Sequence, residues 1–191
     1  MNNSTAESDV LASWSERIAA QVASDEIDLV PDVLTAYIAG GAARRQLFSG
    51  PRADPGAFGA GLPLVMPYVI DALVHCYTVV RGLLGDPAVN SAIAIASLAV
   101  ALRQSWKAES VRDGSATGTP AQPPQAADVP AADSEVAVRA ADTVAALAAR
   151  LAATPVIAGR AEAVAGEVLT VLATDPGGAT RFLDVIAKSG T

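Results

Sequence analysis

His75 and Cys76 are the only histidine and the only cysteine of this 191-residue chain. They are neighbours in the run IDALVHCY, residues 70–77, and Asp71 precedes the histidine by four positions. On a helix, positions i and i+4 share a face, so the Asp71 carboxylate can hold the His75 imidazole. That pair is the orienting half of a hydrolytic triad, in which a carboxylate fixes the tautomer of a histidine base. The nucleophile is the missing part. Cys76 points about 100° away from His75 around a helix. Ser97 would have to be brought in from elsewhere, and no G-x-S-x-G elbow marks it. A metal site needs three or four His, Cys or carboxylate ligands, and this seam offers two. The inert alternative is a hydrogen-bonded network of Tyr68, Asp71 and His75 inside a helical core, with Cys76 as a small apolar filler. The residues favour it, so no catalytic residue, metal ligand or cofactor is expected, and the protein is read as not an enzyme.

Two other stretches invite chemistry. GPRADPGAFGAGLP, after Arg44-Arg45, has glycines whose amides could approach an anion and arginines to supply charge. Its G-x-x-G-x-G spacing is not the dinucleotide fingerprint, and no Gly-Lys-Ser/Thr ends it. It reads as an interhelical connection beside a solvated basic turn. The acidic residues Asp25, Glu26, Asp28 and Asp32 lack the glycine and terminal glutamate of a calcium loop and read as a helix-start cluster.

The elements that must position these residues are helices. The chain contains 42 alanines and eight aromatic residues. Alanine has the best helix propensity, whereas strands favour β-branched and aromatic side chains. Leu11, Trp14, Ile18 and Val22 share one helical face, with Ser8 as its cap. A second helix starts near Pro31 through Val33, Leu34, Tyr37 and Ile38, is weakened at Gly40-Gly41, and resumes through AARRQLF. A long apolar helix is predicted over 64–84 and another over 88–108. On the first, Tyr68, Asp71, His75 and Thr78 fall within a sector of about 80°, a narrow polar seam on an otherwise apolar rod. On the second, Asn90, Ala94, Ser97, Ala101 and Ser105 form a small-residue seam. Residues 110–133, with four prolines and two glycines, read as a flexible linker. Beyond it, Val136, Ala140, Val144, Leu147 and Leu151 mark one amphipathic helix. Ile157, Ala161, Val164, Val168 and Val171 mark a second, and Phe182, Leu183, Val185 and Ile186 a third. Thr154-Pro155 and Asp175-Pro176 are stop-and-start signals between them. The fold expected is therefore all-α. A helical bundle with a central apolar hairpin (residues 1–109, hairpin about 64–108) is followed by the linker and a three-helix module, 134–191.

Charge excludes some functions. The net charge of −7 is spread along the chain, with 7 basic and 11 acidic residues in 1–109 and 5 and 6 in 134–191. No stretch is basic enough to neutralise a row of phosphates, so nucleic acid is not an expected partner. A single cysteine forms no internal disulfide. The start, MNNSTAESD, has neither the basic nor the apolar region of a signal peptide, which points to the cytoplasm. Arginine outnumbers lysine by 11 to 2, as in proteins from GC-rich, bacterial genomes. The charge-free runs 55–70 and 87–102 are 16 residues each, short of the roughly 20 needed for a membrane span.

These features favour a non-catalytic interaction protein, an adaptor or scaffold. It would self-associate or bind a protein partner through Leu73, Val80, Leu84, Ile93, Leu98 and Leu102 of the hairpin, because the preceding helices look too few to cover it. Two alternatives use the same residues. One inserts the 57–104 hairpin into a bilayer, making the protein membrane-associated. The other is a small-molecule enzyme or sensor built on Tyr68, Asp71 and His75, which requires a pocket beside the seam.

Overall fold

Regularly spaced apolar residues on an alanine-rich chain can bury themselves only as helices packed on helices, and that is the architecture found. The computed structural model describes residues 3–49, 64–86 and 131–189. Among them are eight α-helices and no strand: α1 (Asn3–Val22), α2 (Val30–Ala39), α3 (Gly41–Phe48), α4 (Met66–His75), α5 (Tyr77–Leu84), α6 (Ala131–Ala152), α7 (Ala161–Ala173) and α8 (Pro176–Ser189). Short 3-10 turns at Ser24–Leu29 and Ala158–Arg160 link α1 to α2 and α6 to α7. The fold is an all-α helical bundle.

The stripes read from the sequence are the buried faces. Leu11, Trp14, Ile18 and Val22 of α1 are buried, as are Val136, Ala140, Val144, Leu147 and Leu151 of α6 and Phe182, Leu183 and Ile186 of α8. They belong to a single hydrophobic cluster that also takes in Val33, Leu34 and Tyr37 of α2 and the apolar faces of α4, α5 and α7. Helix α1 packs on α7 and α8, α4 on α6 and α8, and α5 on α6 and α8. The Trp14 and Phe182 rings stack with centroids 6.1 Å apart, joining the first helix to the last. Arg17 lies over the Trp14 ring at 4.2 Å and donates to Thr174 Oγ1 at 2.7 Å. Tyr77 and Arg81 of α5 both donate to Asp184 of α8, and Arg139 of α6 pairs with Asp86 just past α5. The described helices before residue 110 and after residue 133 thus contribute to one hydrophobic cluster. Residues 110–130 of the expected linker and the helix expected over 88–108 lie outside the described residues, while 131–133, also expected in the linker, begin α6.

Three local features differ from the sequence reading. The helix expected over 64–84 is broken at Cys76 (φ −93°, ψ 12°), where no proline or glycine marks it. The buried residues on either side, Val69, Ile70, Ala72 and Leu73 before the break and Val80, Leu83 and Leu84 after it, keep the spacing of one helical face, so the apolar stripe read from the sequence continues across it. Helix α7 starts at Ala161 instead of Pro155, because buried Ile157 draws the chain into the core through a turn. Helix α1 begins at Asn3, so Ser8 lies within it. The Asp175-Pro176 signal works as read: Asp175 Oδ1 accepts the Gly178 N–H at 3.0 Å, an N-cap with proline at N1. No described helix is long and apolar enough to cross a membrane, and α4 and α5 are only ten and eight residues long.

Candidate functional site

Helix α4 carries Tyr68, Asp71 and His75, and its position is set by a carboxylate far away in sequence. Glu26, on the 3-10 turn before α2, is buried at 7 % exposure. Its Oε1 accepts the Val65 N–H at 2.6 Å and its Oε2 the Met66 N–H at 2.9 Å. Two N–H groups that the start of a helix leaves unpaired are thereby satisfied, and a negative charge sits at the positive end of the helix. Burial nevertheless pushes the Glu26 carboxyl above its ordinary value. The two N–H bonds oppose that rise, and the neighbouring Asp25 charge adds to it. The acidic run is therefore a helix-start feature as expected, but Glu26 serves a helix 40 residues on.

A second device brings in an arginine. Gly40 and Gly41 adopt positive φ values of 67° and 54°, a conformation that side chains resist. Through them α3 turns back on α2, and Arg44 comes to lie over the Tyr37 ring at 4.1 Å. Arg44 Nη2 donates to the Tyr37 hydroxyl at 2.6 Å and to Asp71 Oδ1 at 3.1 Å. The Tyr37 hydroxyl donates, more weakly, to the same Oδ1 at 3.5 Å. Tyr37 is 1 % exposed. Burial, reinforced by the Asp71 charge, pushes its hydroxyl up to about 12.

The other carboxylate oxygen faces α6. Arg150, in the last turn of that helix, donates through Nη2 to Asp71 Oδ2 at 2.8 Å and approaches His75 Nε2 at 3.3 Å. His75 Nδ1 lies 2.9 Å from the Asp71 carbonyl oxygen and 3.3 Å from Oδ2. With the proton placed on Nδ1, it is donated to Asp71 and Nε2 accepts from Arg150; the tautomer is assigned from this network. The Asp71 side chain is 17 % exposed, against 50 % for His75 and 43 % for Arg150. The expected Asp71–His75 contact is therefore present. The rest of the expected network is not: His75 is half open to solvent, and the Asp71 partners are Tyr37, Arg44 and Arg150 in place of Tyr68.

Beside this cluster lies a cavity of about 340 Å³ lined by Phe48, Tyr68, Asp71, Arg150, Ala153 and Thr154. The Phe48 and Tyr68 rings meet edge to face, centroids 5.1 Å apart, and form its apolar wall. The hydroxyls of Tyr68 and Thr154 and the Nη1 and Nε of Arg150 have no partner among the described residues.

Both Asp71 oxygens are engaged, and the His75 lone pair is occupied by Arg150. Burial pushes the Cys76 thiol above its ordinary value, and the Arg150 charge opposes this only in part, so the thiolate that attacks is disfavoured. Ser97 lies outside the described residues. Among the described residues, no three His, Cys, Asp or Glu side chains converge on a metal position. Of the residues expected at an interface, Leu73, Val80 and Leu84 are buried in the chain's own core, while Ile93, Leu98 and Leu102 lie outside the described residues, as does the glycine-rich loop at 50–63.

The sequence reading missed Tyr37, Arg44, Phe48, Arg150 and Thr154. Arg44 belongs to the stretch that reads as a solvated basic turn, and Arg150 lies off the apolar stripe of α6. Their contacts span 27 and 79 residues, and no local spacing signals such pairs. Comparison with known proteins finds no matching family model, no similar curated protein and no similar solved structure.

Proposed function

We propose that this chain is a non-catalytic binding protein, a sensor whose ligand is a small molecule held in the cavity beside Asp71. The observation that carries this reading is the conjunction of an open cavity with a wall of polar groups held in place by their own network. Tyr37, Arg44, Arg150 and His75 all converge on one carboxylate, and that preorganisation lowers the cost of ordering a site on binding. A volume of about 340 Å³ falls at the small end of the range for ligand sites. The cavity borders Tyr68 and Asp71 of the polar seam, with Arg150 in the place that the sequence reading gave to His75. The absence of an activated nucleophile among the described residues favours binding over catalysis. A thermal-shift screen of small polar molecules tests it: ligands should raise the melting temperature of the native chain and not that of Ala153→Trp, which fills the cavity. Hits that survive Ala153→Trp would refute the site.

A second reading, self-association or capture of a protein partner as an adaptor, is favoured by the charge-free run 87–102 together with the exposed Val79 and Val138 on the neighbouring helices α5 and α6. Light scattering behind size exclusion, on protein purified without detergent, tests it. A stable multiple of the monomer mass supports self-association, and recovery only with detergent replaces it by the bilayer reading of the 57–104 hairpin and a membrane location. A detergent-free monomer leaves the cavity as the working site, with the cytoplasm as the proposed location.

A further inference from the structure

Resting on the cavity reading above, we infer that His75 is a pH-operated latch on that site. It holds Arg150 at the cavity wall while its imidazole is neutral, and it releases the guanidinium when the ring is protonated. Three observations carry this. First, the tautomer of the neutral ring is set by a group that can only accept. His75 Nδ1 lies 2.9 Å from the Asp71 carbonyl oxygen, so Nδ1 carries the proton. Nε2 then has only its lone pair, and Arg150 Nη2 donates to it at 3.3 Å.

Second, that contact does not survive protonation. Both nitrogens of an imidazolium are donors, so an Nε2–H would face the guanidinium donor against donor and charge against charge. The two side chains also compete for one atom, because Asp71 Oδ2 lies 2.8 Å from Arg150 Nη2 and 3.3 Å from His75 Nδ1. Asp71 Oδ1 is already held by Arg44 of α3 and Tyr37 of α2. Among the described residues, the charged groups in contact with His75 are Asp71 on its own helix and Arg150 from α6. Cys76 follows it in the chain, and Asp184 of α8 is engaged by Tyr77 and Arg81 of α5.

Third, the ring can read the solvent and Arg150 can report it. His75 is half exposed, so a proton reaches it without the fold opening. Arg150 lines the cavity with Ala153 and Thr154, just past the end of α6. Histidine is the side chain whose ordinary titration falls between about pH 5 and 8, and His75 is the only one in the chain. As pH falls through that range, Arg150 leaves its place in the wall and a ligand seated against it is held less well. His75 is thus a positioning residue that acts through Arg150.

Nuclear magnetic resonance on the full chain tests this without a ligand. The single histidine gives one ring Cε1–H signal to follow from about pH 8 to about pH 5, beside the Arg150 Nε–H and the methyl groups of Ala153 and Thr154. In the native chain these three should shift along the same curve as the ring. In His75→Gln, which stays neutral, that step should vanish. Coupling between two sites is reciprocal, so in Arg150→Gln the ring should take up its proton at higher pH than in the native chain. A ring that stays neutral throughout, wall signals that stay flat while the ring titrates, or a ring indifferent to Arg150→Gln would overturn the latch. So would a step that persists in His75→Gln, which would trace it to another group such as Glu26. Each of these leaves the cavity reading standing, because that reading fails on its own test, the loss of any difference between the native chain and Ala153→Trp in the small-molecule screen.

Discussion

Glu26→Ala should be destabilising, and its pH dependence should run opposite to the usual behaviour of a salt-bridged carboxylate. The buried carboxylate satisfies two N–H groups at the start of α4, at 2.6 and 2.9 Å. Removing a capping side chain typically costs about 0.5–2 kcal/mol, and the two orphaned N–H groups are here largely shielded from water. Against this stands the desolvation of the charge, which alanine relieves. The net loss at neutral pH should be about 1–2 kcal/mol, or roughly 2–8 °C in melting temperature for a chain of this size. The sign with pH follows from the direction of the shift. Burial holds the Glu26 carboxyl above its ordinary 4.5 despite the two N–H bonds, so the folded state takes up its proton more readily than the unfolded one. Its contribution to stability is complete below that ordinary value and declines as pH rises through the raised one. The gap between the native chain and Glu26→Ala should therefore widen on acidification from about pH 8 to about pH 5, and the gap to the never-ionised Glu26→Gln should follow the same sign. Urea denaturation followed by circular dichroism at each pH measures this. A gap under about 0.3 kcal/mol, or one that grows with rising pH, would refute the reasoning. Because the helix that follows the cap carries Tyr68, Asp71 and His75, Glu26→Ala should also weaken whatever the cavity binds.

Tyr37, with its hydroxyl raised from 10.0 to about 12, stabilises the fold below pH 10 and should lose that contribution between pH 10 and 12, a decline on the order of 2–3 kcal/mol. Tyr37→Phe should abolish this alkaline step in urea midpoints measured across the range, and an unchanged step would place its origin elsewhere. Gly178→Ala should cost about 1–3 kcal/mol, since a Cβ there would run into the Asp175 carboxylate that caps α8 and stand 3.1 Å from the Trp14 ring; an unchanged melting temperature would show that the Asp175 side chain moves aside freely. Gly82→Ala should do the opposite. Nothing lies within 4 Å of its added Cβ, it sits within α5, and the gain expected from helix propensity is about 0.5–1 kcal/mol.

The helices were legible because burial and periodicity are both local properties. Every residue of the stripes in α1, α6 and α7 is buried, since an i, i+3, i+4 pattern has one efficient solution on an alanine-rich chain. The Asp71–His75 contact was legible for the same reason. The site around it was not, because its other members arrive by routes that leave no periodic trace. Arg44 gets there through two glycines in positive φ, which the sequence showed only as a weakened helix. Arg150 gets there because α6 packs on α4, a contact that no spacing within either helix announces. Glu26 was one acid in a run of four until the packing of the 3-10 turn against α4 singled it out. In each case a charged residue that looked solvated was recruited by a polar group on another helix, and one carboxylate, Asp71, gathers most of them. A chain so poor in charge for its size, 17 %, therefore places two of its eleven arginines on a single aspartate beside an open cavity. Arg44 reaches it from α3 and Arg150 from α6, so a single carboxylate on α4 ties three helices together beside that cavity.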